Sequence, residues 1–256
     1  MSKYVRIVIG LFSAGVLSAC GAPDLAQDAA EVDSPIIGGT TDNGDPSVVA
    51  IFAHAPTSNS GSLCTGTVIS SRAVLTAAHC VDPRLVGSGN VFDVYTGTVF
   101  GSSSTRLAVS SVAFDAAFNP NALQNGHDIA VVTLAKATTL PPVAFNRNPL
   151  TTANQNLPVR LVGYGASTHT NTGAGTKRAV TTTVDSISSM FVKIGSSSQQ
   201  TCHGDSGGPA LQTINGVDTI IGITSFGSDN SSTNVCNGGG YDSRVDQYSA
   251  FITAHL

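Results

Sequence analysis

The sequence contains little charge and no tryptophan. Only 11% of its 256 residues are charged, and Glu31 is its single glutamate. The 12 basic and 16 acidic residues give a formal net charge of −4, and no basic run occurs, which argues against a surface that binds nucleic acid. Helix-forming residues are sparse, whereas glycine, serine, threonine, valine and alanine are abundant. The composition therefore indicates a β-rich fold of short strands and many turns.

Motifs that bind metal ions are missing as well. There is no C-x-x-C pair, the cysteines do not have the spacing of a zinc site, and no H-E-x-x-H occurs among the scattered histidines. The sequence therefore implies neither a metal nor a cofactor. The cysteines number five, and an odd count in an exported protein leaves one thiol to be explained.

The first residues have the pattern of an export signal. A basic start precedes an apolar run that ends in L-S-A-C at 17–20, and this run is short for a membrane-spanning helix. We interpret 1–19 as a signal peptide. Cys20 resembles the acylated cysteine of bacterial lipoproteins, and the alternative is an ordinary signal peptide cleaved near Ala19. Removing Cys20 for a lipid leaves four cysteines, enough for two disulfides in an oxidising compartment.

Two further regions follow the signal. Residues 20–35, which include Cys20, contain four acids, no base and few large apolar groups, so we expect a disordered tether or propeptide. From Ile36 onward, strand-like runs recur between glycine, asparagine, serine and proline, which is typical of an all-β barrel or sandwich. Only the C-terminus shows helical periodicity, with Val245, Tyr248 and Ile252 on one face. We treat 36–256 as one unit.

Three short motifs contain the residue types of nucleophilic catalysis. His79 ends an apolar strand in V-L-T-A-A-H-C-V, Asp128 opens the apolar strand of H-D-I-A-V-V, and Ser206 lies in G-D-S-G-G-P. A serine hydroxyl needs a base, imidazole can act as one near neutral pH, and a carboxylate can orient the imidazole. Taken singly, the three could be a strand-end histidine, a strand-boundary aspartate and a turn serine. Together they occur in the chain order His, Asp, Ser, which one class of triad uses.

Residues 36–256 resemble the chymotrypsin/trypsin family of serine peptidases. The matching motifs are I-I-G-G at 36–39, T-A-A-H-C at 76–80, D-I-A-V-V at 128–132, G-Y-G at 163–165, G-D-S-G-G-P at 204–209 and S-F-G at 225–227. The resemblance implies an all-β fold of two packed six-stranded antiparallel β-barrels with a short C-terminal helix. It also implies a serine endopeptidase that hydrolyses protein or peptide substrates through an acyl-enzyme in the cleft between the barrels.

The resemblance gives individual residues their roles. His79 would be the general base and then the acid, Asp128 would orient it, and Ser206 would attack the scissile carbonyl. The backbone N–H groups of Gly204 and Ser206 would form the oxyanion hole. Glycine suits position 204 because it tolerates an unusual φ and leaves room for the carbonyl oxygen.

The resemblance also implies two disulfides and an activation step. The disulfides would be Cys64–Cys80 and Cys202–Cys236. Cleavage before Ile36 would create an α-ammonium that pairs with Asp205. Here Pro35, and not arginine or lysine, precedes Ile36, so we expect a peptidase unlike trypsin to trim the tether, which would activate the enzyme and release it from a lipid anchor. The alternative is an enzyme that stays tethered and is zymogen-like or constitutively active.

Specificity is where the sequence departs from the trypsin pattern. The resemblance places the specificity pocket at Gln200, Ser225, Gly227 and Gly239. Gln200 stands at the base, where the trypsin pattern has an aspartate, and a neutral amide cannot pair with a cation. We therefore expect a medium or large neutral substrate residue and no strict preference for arginine or lysine. Asp229 or Asp242 could still supply negative charge.

Other functions remain compatible with the sequence. A non-catalytic binding or scaffold protein on the same fold is one, although such relatives typically lack a triad residue and His79, Asp128 and Ser206 are all present. A narrow processing enzyme, a signalling enzyme or a toxin is another. The expected location is the bacterial cell envelope, with membrane contact only through a lipid on Cys20 and release after cleavage at Ile36.

Overall fold

The computed structural model describes residues 36–169, 172–228 and 236–256. The signal peptide (1–19), the lipidated Cys20 and the tether (20–35) lie outside the described residues, as does Asp229. Within those described ranges, no helix has the length and apolarity needed to cross a membrane.

The N-terminal half forms a closed antiparallel barrel. After the two-residue strand β1 (Thr40–Thr41) come its six strands: β2 (Val48–His54), β3 (Gly61–Val68), β4 (Ala73–Thr76), β5 (Val91–Thr96), β6 (Thr105–Phe114) and β7 (Ala130–Leu134). Their order around the barrel is β2-β3-β4-β7-β6-β5, and β5 closes the ring by pairing with β2. Aliphatic residues of β2, β4 and β7 are buried, as expected when β-branched side chains fill a small barrel.

The C-terminal half forms a second six-stranded barrel. The parallel-paired strand β8 (Ala144–Phe145) precedes it, and its own strands are β9 (Pro158–Gly163), β10 (Arg178–Ile187), β11 (Phe191–Ile194), β12 (Pro209–Ile214), β13 (Val217–Gly227) and β14 (Gly240–Arg244). The antiparallel ring runs β9-β10-β11-β14-β13-β12 and closes where β12 pairs with β9. The prediction of two six-stranded antiparallel barrels is confirmed.

The C-terminal helix is confirmed and is shorter than its periodicity suggests. A 3-10 turn (Val245–Tyr248) leads into α2 (Ser249–Ala254), while α1 (Pro83–Val86) is a single turn far from it in the chain. Val245, Tyr248 and Ile252 are buried together against the N-terminal barrel's core. The buried face therefore matches the predicted one.

Two strands of the second barrel escape sequence-based recognition. β12 follows the glycine-rich serine motif directly, and β14 comes immediately before the segment with helical periodicity. β14 contains Asp242, Ser243 and Arg244, all of them polar and all of them buried. Their burial results from pairing with β11 and β13, and hydropathy does not mark a strand buried in this way.

Candidate active site

A cavity of about 270 Å³ lies where the two barrels meet. Its lining includes His79, which follows β4, and Ser206, which precedes β12. The fold thus brings candidate catalytic residues from the two halves of the chain to one opening.

The backbone that carries His79 is tightly fixed. His79 is the middle residue of the 3-10 turn Ala78–Cys80, which follows β4 directly. The disulfide Cys64–Cys80 ties this turn to β3, and Ala78 beside it is fully buried. The His79 side chain is 18% exposed. The imidazole therefore borders the cavity, while the backbone of His79 is held by the disulfide and by the burial of Ala78.

Asp128 is fully buried and receives three hydrogen bonds. Its Oδ1 accepts from the His79 backbone N–H at 2.9 Å, and its Oδ2 lies 2.7 Å from His79 Nδ1. The Ser225 hydroxyl donates to the same Oδ2 at 2.5 Å. A carboxylate that accepts a hydrogen bond from Nδ1–H fixes the tautomer of the imidazole. Nε2 is then unprotonated and able to take a proton.

The loop that carries Asp128 is anchored to the C-terminal helix. The preceding residue, His127, has φ of +66°, and its backbone N–H donates to the Tyr248 hydroxyl at 2.7 Å. Gly126 has φ of +84°, which favours glycine, and a Cβ there would lie 2.6 Å from Met190 Cε, so the methionine side chain would have to move. Sequence reasoning placed Tyr248 on a buried face but missed this link, because residues distant in sequence meet only in the fold.

The Ser206 loop needs glycine on both sides. Gly204 has φ of +97° and Gly207 has φ of +80°, a region that other residues rarely adopt. A Cβ at Gly204 would lie 2.8 Å from Gly165 Cα. Thr65 of β3 holds the loop from the other barrel, since its N–H donates to Ser206 O and its hydroxyl to Gly204 O, both at 2.8 Å.

Two backbone donors beside the Ser206 hydroxyl are unused. Within the described ranges, the N–H groups of Gly204 and Ser206 make no hydrogen bond, whereas those of Asp205 and Gly207 donate to backbone carbonyls. Free N–H groups of this kind can stabilise negative charge on a substrate oxygen. The arrangement suits the oxyanion hole expected from the sequence.

Asp205 points away from the cavity into a fully buried site. Its Oδ1 accepts from Gly165 N at 2.8 Å and its Oδ2 from Cys202 N at 2.9 Å. A Cβ at Gly163 or Gly165 would lie within 2.2 or 2.5 Å of carboxyl atoms, so the G-Y-G motif makes room for this side chain. Burial raises the pKa of Asp205 to about 7, against the effect of the two N–H donors.

Ile36 lies in the core of the second barrel. Its side chain is fully buried beside Val159, Leu161 and Ile194. Ile37 forms a bridge with Gln200. Within the described ranges, each salt bridge joins a basic side chain to an aspartate other than Asp205. Asp205 therefore forms no ion pair there.

The four expected pocket residues fall into two groups. Ser225 and Gly227 line the cavity. Gln200 and Gly239 do not line it; Gln200 is fully buried, and its Oε1 accepts from Gly239 N at 2.9 Å. The Gln200 side chain is therefore bound to the backbone of Gly239 and takes up no space in the cavity.

The sequence assigned no role to three residues that line the cavity, which are Leu123, Thr201 and Thr224. His203, Phe226, Cys202 and Cys236 line it as well. The disulfide Cys202–Cys236 joins two of them. The closest grouping of possible metal ligands within the described ranges is Cys64, His79 and Cys80, and its two cysteines are joined to each other.

A double β-barrel with this cleft defines the chymotrypsin-like class of serine peptidases. The family model described as "Trypsin" matches residues 36–252, and the chain belongs to that family. It is 30% identical over 219 residues to "Chymotrypsin-like elastase family member 1" of Bos taurus, covering 78% of this chain and 82% of that protein. The human protein of the same name is 29% identical over 251 residues, covering 89% and 93%. "Trypsin, alkaline C" of Manduca sexta is 27% identical over 279 aligned residues, covering 97% and 99%.

Proposed function

We propose that the protein is a serine endopeptidase that hydrolyses peptide bonds through an acyl-enzyme. The observation that carries the proposal is the contact of 2.7 Å between Asp128 Oδ2 and His79 Nδ1, beside a cavity that His79 shares with Ser206. Family membership supports the reaction class, and the unused N–H groups support the site of charge stabilisation.

In this proposal, proton transfer and attack are coupled. His79 Nε2 takes the proton of the Ser206 hydroxyl as Oγ forms a bond to the scissile carbonyl carbon. The carbonyl oxygen becomes negative and receives the N–H groups of Gly204 and Ser206. Asp128 stabilises the imidazolium that forms and keeps the ring in position.

The second half of the reaction reverses these roles. The imidazolium of His79 gives its proton to the leaving amine, which breaks the peptide bond and leaves an ester on Ser206 Oγ. Water then loses a proton to His79 as its oxygen bonds to the ester carbon. The imidazolium returns this proton to Ser206 Oγ as the bond between Oγ and the acyl carbon breaks, which releases the carboxylic acid and restores the free enzyme.

Active-site labelling tests this proposal. A fluorophosphonate should label the wild-type protein covalently and should not label Ser206→Ala. Labelling of both proteins, or of neither after cleavage before Ile36, would instead favour a binding protein that uses the same fold.

The proposal includes activation by cleavage before Ile36. Asp205 is a buried carboxyl that forms no salt bridge within the described ranges, although the charge of Arg178 partly offsets the effect of burial on its pKa. The side chain of Ile36 already lies in the second barrel's core. A new α-ammonium at Ile36 would supply a directly paired cation, which stabilises a buried carboxylate. We expect the pair to order the loop that carries Gly204 and Ser206.

A chain that can be cut on demand tests activation. Residues 31–35 are replaced by Asp-Asp-Asp-Asp-Lys so that enteropeptidase cuts before Ile36, and labelling is compared before and after cutting. Labelling should rise on cutting, and Asp205→Asn should abolish the rise. Full labelling of the uncut chain would show that the enzyme works while tethered.

We further propose domain limits and a location. Residues 1–19 would direct export, Cys20 would carry a lipid, 20–35 would be the tether and 36–256 the peptidase domain of a bacterial envelope protein. The two disulfides support export to an oxidising compartment. Incorporation of radiolabelled palmitate that Cys20→Ser abolishes would support the anchor, whereas export without incorporation would indicate an ordinary signal peptide.

A further inference from the structure

Buried polar atoms without partners occur on Thr224, which lines the cavity, and on a chain neighbour and a ladder partner of lining residues. Gln200 Nε2, Thr224 Oγ1 and Asp242 Oδ2 are inaccessible and form no hydrogen bond within the described ranges. We call these three residues the pocket floor. Buried polar groups are nearly always paired in proteins. Asp242 Oδ2 and Thr224 Oγ1 can each accept a hydrogen bond from a ligand, whereas Gln200 Nε2 is a donor.

Asp242 lies directly behind residues that line the cavity. On the antiparallel ladder of β13 and β14, Asp242 is the partner of Thr224, and opposed residues project to the same face of a sheet. Thr224 and Thr201 both line the cavity. A Cβ at Gly240 would lie 3.2 Å from Thr201 Oγ1 and 4.0 Å from Asp242 Oδ1. Because residue 240 is glycine, no side chain at that position separates Thr201 from Asp242 Oδ1. Oδ2 lies toward Gly222, 3.3 Å from the position that a Cβ would take there.

No basic group on the neighbouring elements neutralises Asp242. Its ladder partners on β11 and β13 are Val192 and Thr224, neither of which carries a charge. Arg244, two residues along β14, binds Asp246. Burial alone accounts for the shift in the pKa of Asp242, which it raises to about 8. A carboxyl group in this position is poorly solvated, so an incoming cation would stabilise its ionised form strongly.

The entrance above the pocket floor is open. Gly227 lines the cavity without a side chain, and Gln200 is turned toward Gly239. A long, unbranched substrate side chain can therefore pass between the walls and reach the region of Thr201 and Thr224.

We propose that Asp242 is a specificity-determining residue, and that the pocket accepts a substrate side chain ending in a cationic nitrogen, that of lysine or arginine. This inference rests on the proposed function in that the cavity beside Ser206 binds substrate. It replaces the neutral preference expected from Gln200, since the charge would come from the strand opposite β13 and not from the loop before the nucleophile.

Paired substrates and a binding probe test the inference. The full chain with the enteropeptidase site is cut before Ile36, and kcat/KM is measured on peptides that differ only in having lysine, arginine, methionine or glutamine before the scissile bond. We expect lysine or arginine to be preferred. Asp242→Asn should lower kcat/KM for these two by about 30-fold or more and leave the methionine peptide within about threefold. Asp185→Asn, which changes an exposed ion pair with Lys193, is the control and should preserve the preference.

The probe separates this inference from the peptidase proposal. p-Aminobenzamidine, a fluorescent cation, is titrated into cut chains that carry Ser206→Ala, with and without Asp242→Asn. Saturable binding that weakens by about 30-fold or more in the double variant supports the inference, even if the wild type neither labels nor hydrolyses. Absence of binding, binding unaffected by Asp242→Asn, or a wild-type preference for methionine or glutamine would overturn it.

A second variant provides a test that remains valid if Asp242→Asn fails to fold. Circular dichroism would reveal such a failure. Gly240→Ala places a methyl group between Thr201 and Asp242. It should weaken p-aminobenzamidine binding while fluorophosphonate labelling of Ser206 persists. Unchanged binding in folded Gly240→Ala would count against the route to Asp242.

Discussion

Two fully buried aspartates, Asp128 and Asp242, differ in how the protein pairs their carboxyl groups. Asp128 receives hydrogen bonds from the His79 backbone, the His79 ring and the Ser225 hydroxyl. Asp242 has an inaccessible Oδ2 without a partner within the described residues. We refer to His79, Asp128 and Ser225 as the catalytic corner and compare it with the pocket floor.

The comparison separates a finished site from an incomplete one. In the catalytic corner, the partners of the carboxylate belong to the protein, so the imidazole is oriented before any substrate arrives, which avoids reorganisation during the reaction. In the pocket floor, Asp242 Oδ2 and Thr224 Oγ1 carry a desolvation cost that a bound cationic side chain can reverse. Full pairing therefore suits a group that must stay in place, and missing pairing suits a group that awaits a ligand.

The largest expected effect comes from breaking the catalytic corner. Asp128→Asn keeps the shape but presents an amide to His79 Nδ1, which disfavours the tautomer that leaves Nε2 free. We expect kcat to fall about 10⁴-fold, the order of magnitude typical of such a change in a triad. Steady-state kinetics on the cut chain measure it, with Asp185→Asn as the control. A loss below about tenfold would mean that Asp128 does not orient His79.

The second-largest effect is expected from Asp242 of the pocket floor, on how the free energy of unfolding depends on pH. Burial raises the pKa of Asp242 from the usual 3.8 to about 8, so the folded state binds a proton that the unfolded state releases. The contribution of this group to stability is intact below about pH 4 and is lost as the pH rises from about 4 through about 8.

Replacing Asp242 by asparagine should remove that loss. In the Ser206→Ala background, Asp242→Asn should flatten the fall in the free energy of unfolding between about pH 5 and about pH 9 by on the order of 3 kcal/mol. Urea unfolding at the two pH values measures the difference, and Asp185→Asn should leave it unchanged. Equal pH slopes in the two chains would argue that Asp242 is already paired with a cation or with water.

The oxyanion donors allow a finer test beside the catalytic corner. Gly204→Ala would place a Cβ 2.8 Å from Gly165 Cα at φ of +97°, which should shift the N–H groups of residues 204 and 206. We expect kcat to fall about 100-fold with KM little changed. Gly216→Ala is a matched control, because Gly216 has φ of +79° and no atom within 4 Å of its Cβ position. Similar kinetic losses in both variants would point to general backbone strain.

The smallest effect is expected where the two regions meet. Ser225→Ala removes the hydroxyl that donates to Asp128 at 2.5 Å and leaves the two His79 contacts in place. The loss of one hydrogen bond to a charged acceptor should lower kcat about tenfold. Ser110→Ala, which removes a hydroxyl bonded to a backbone carbonyl on the exposed face of β6, should have no kinetic effect. A loss as large as that of Asp128→Asn would mean that Ser225 and His79 act on Asp128 as one unit.

The sequence predicted most of the two barrels but fewer of the contacts that hold the candidate site. Recurring strand-like runs predicted an all-β barrel or sandwich, and the family resemblance implied two six-stranded barrels. The buried face of the C-terminal helix followed from the spacing of Val245, Tyr248 and Ile252. Strand β14 escaped prediction because its buried residues are polar. Likewise, the bond from His127 N–H to Tyr248 joins distant parts of the chain and leaves no local pattern.

The sequence by itself determined which residues have roles that depend on local backbone conformation. Gly204 and Gly207 permit the turn around Ser206, and the motifs fix which histidine and which aspartate can meet it. Only the tertiary structure decided that Gln200 turns toward Gly239 and that Asp242 lies behind Thr224. The physical reason is that the direction of a side chain and the solvation of a carboxyl group depend on packing between strands that are far apart in the sequence.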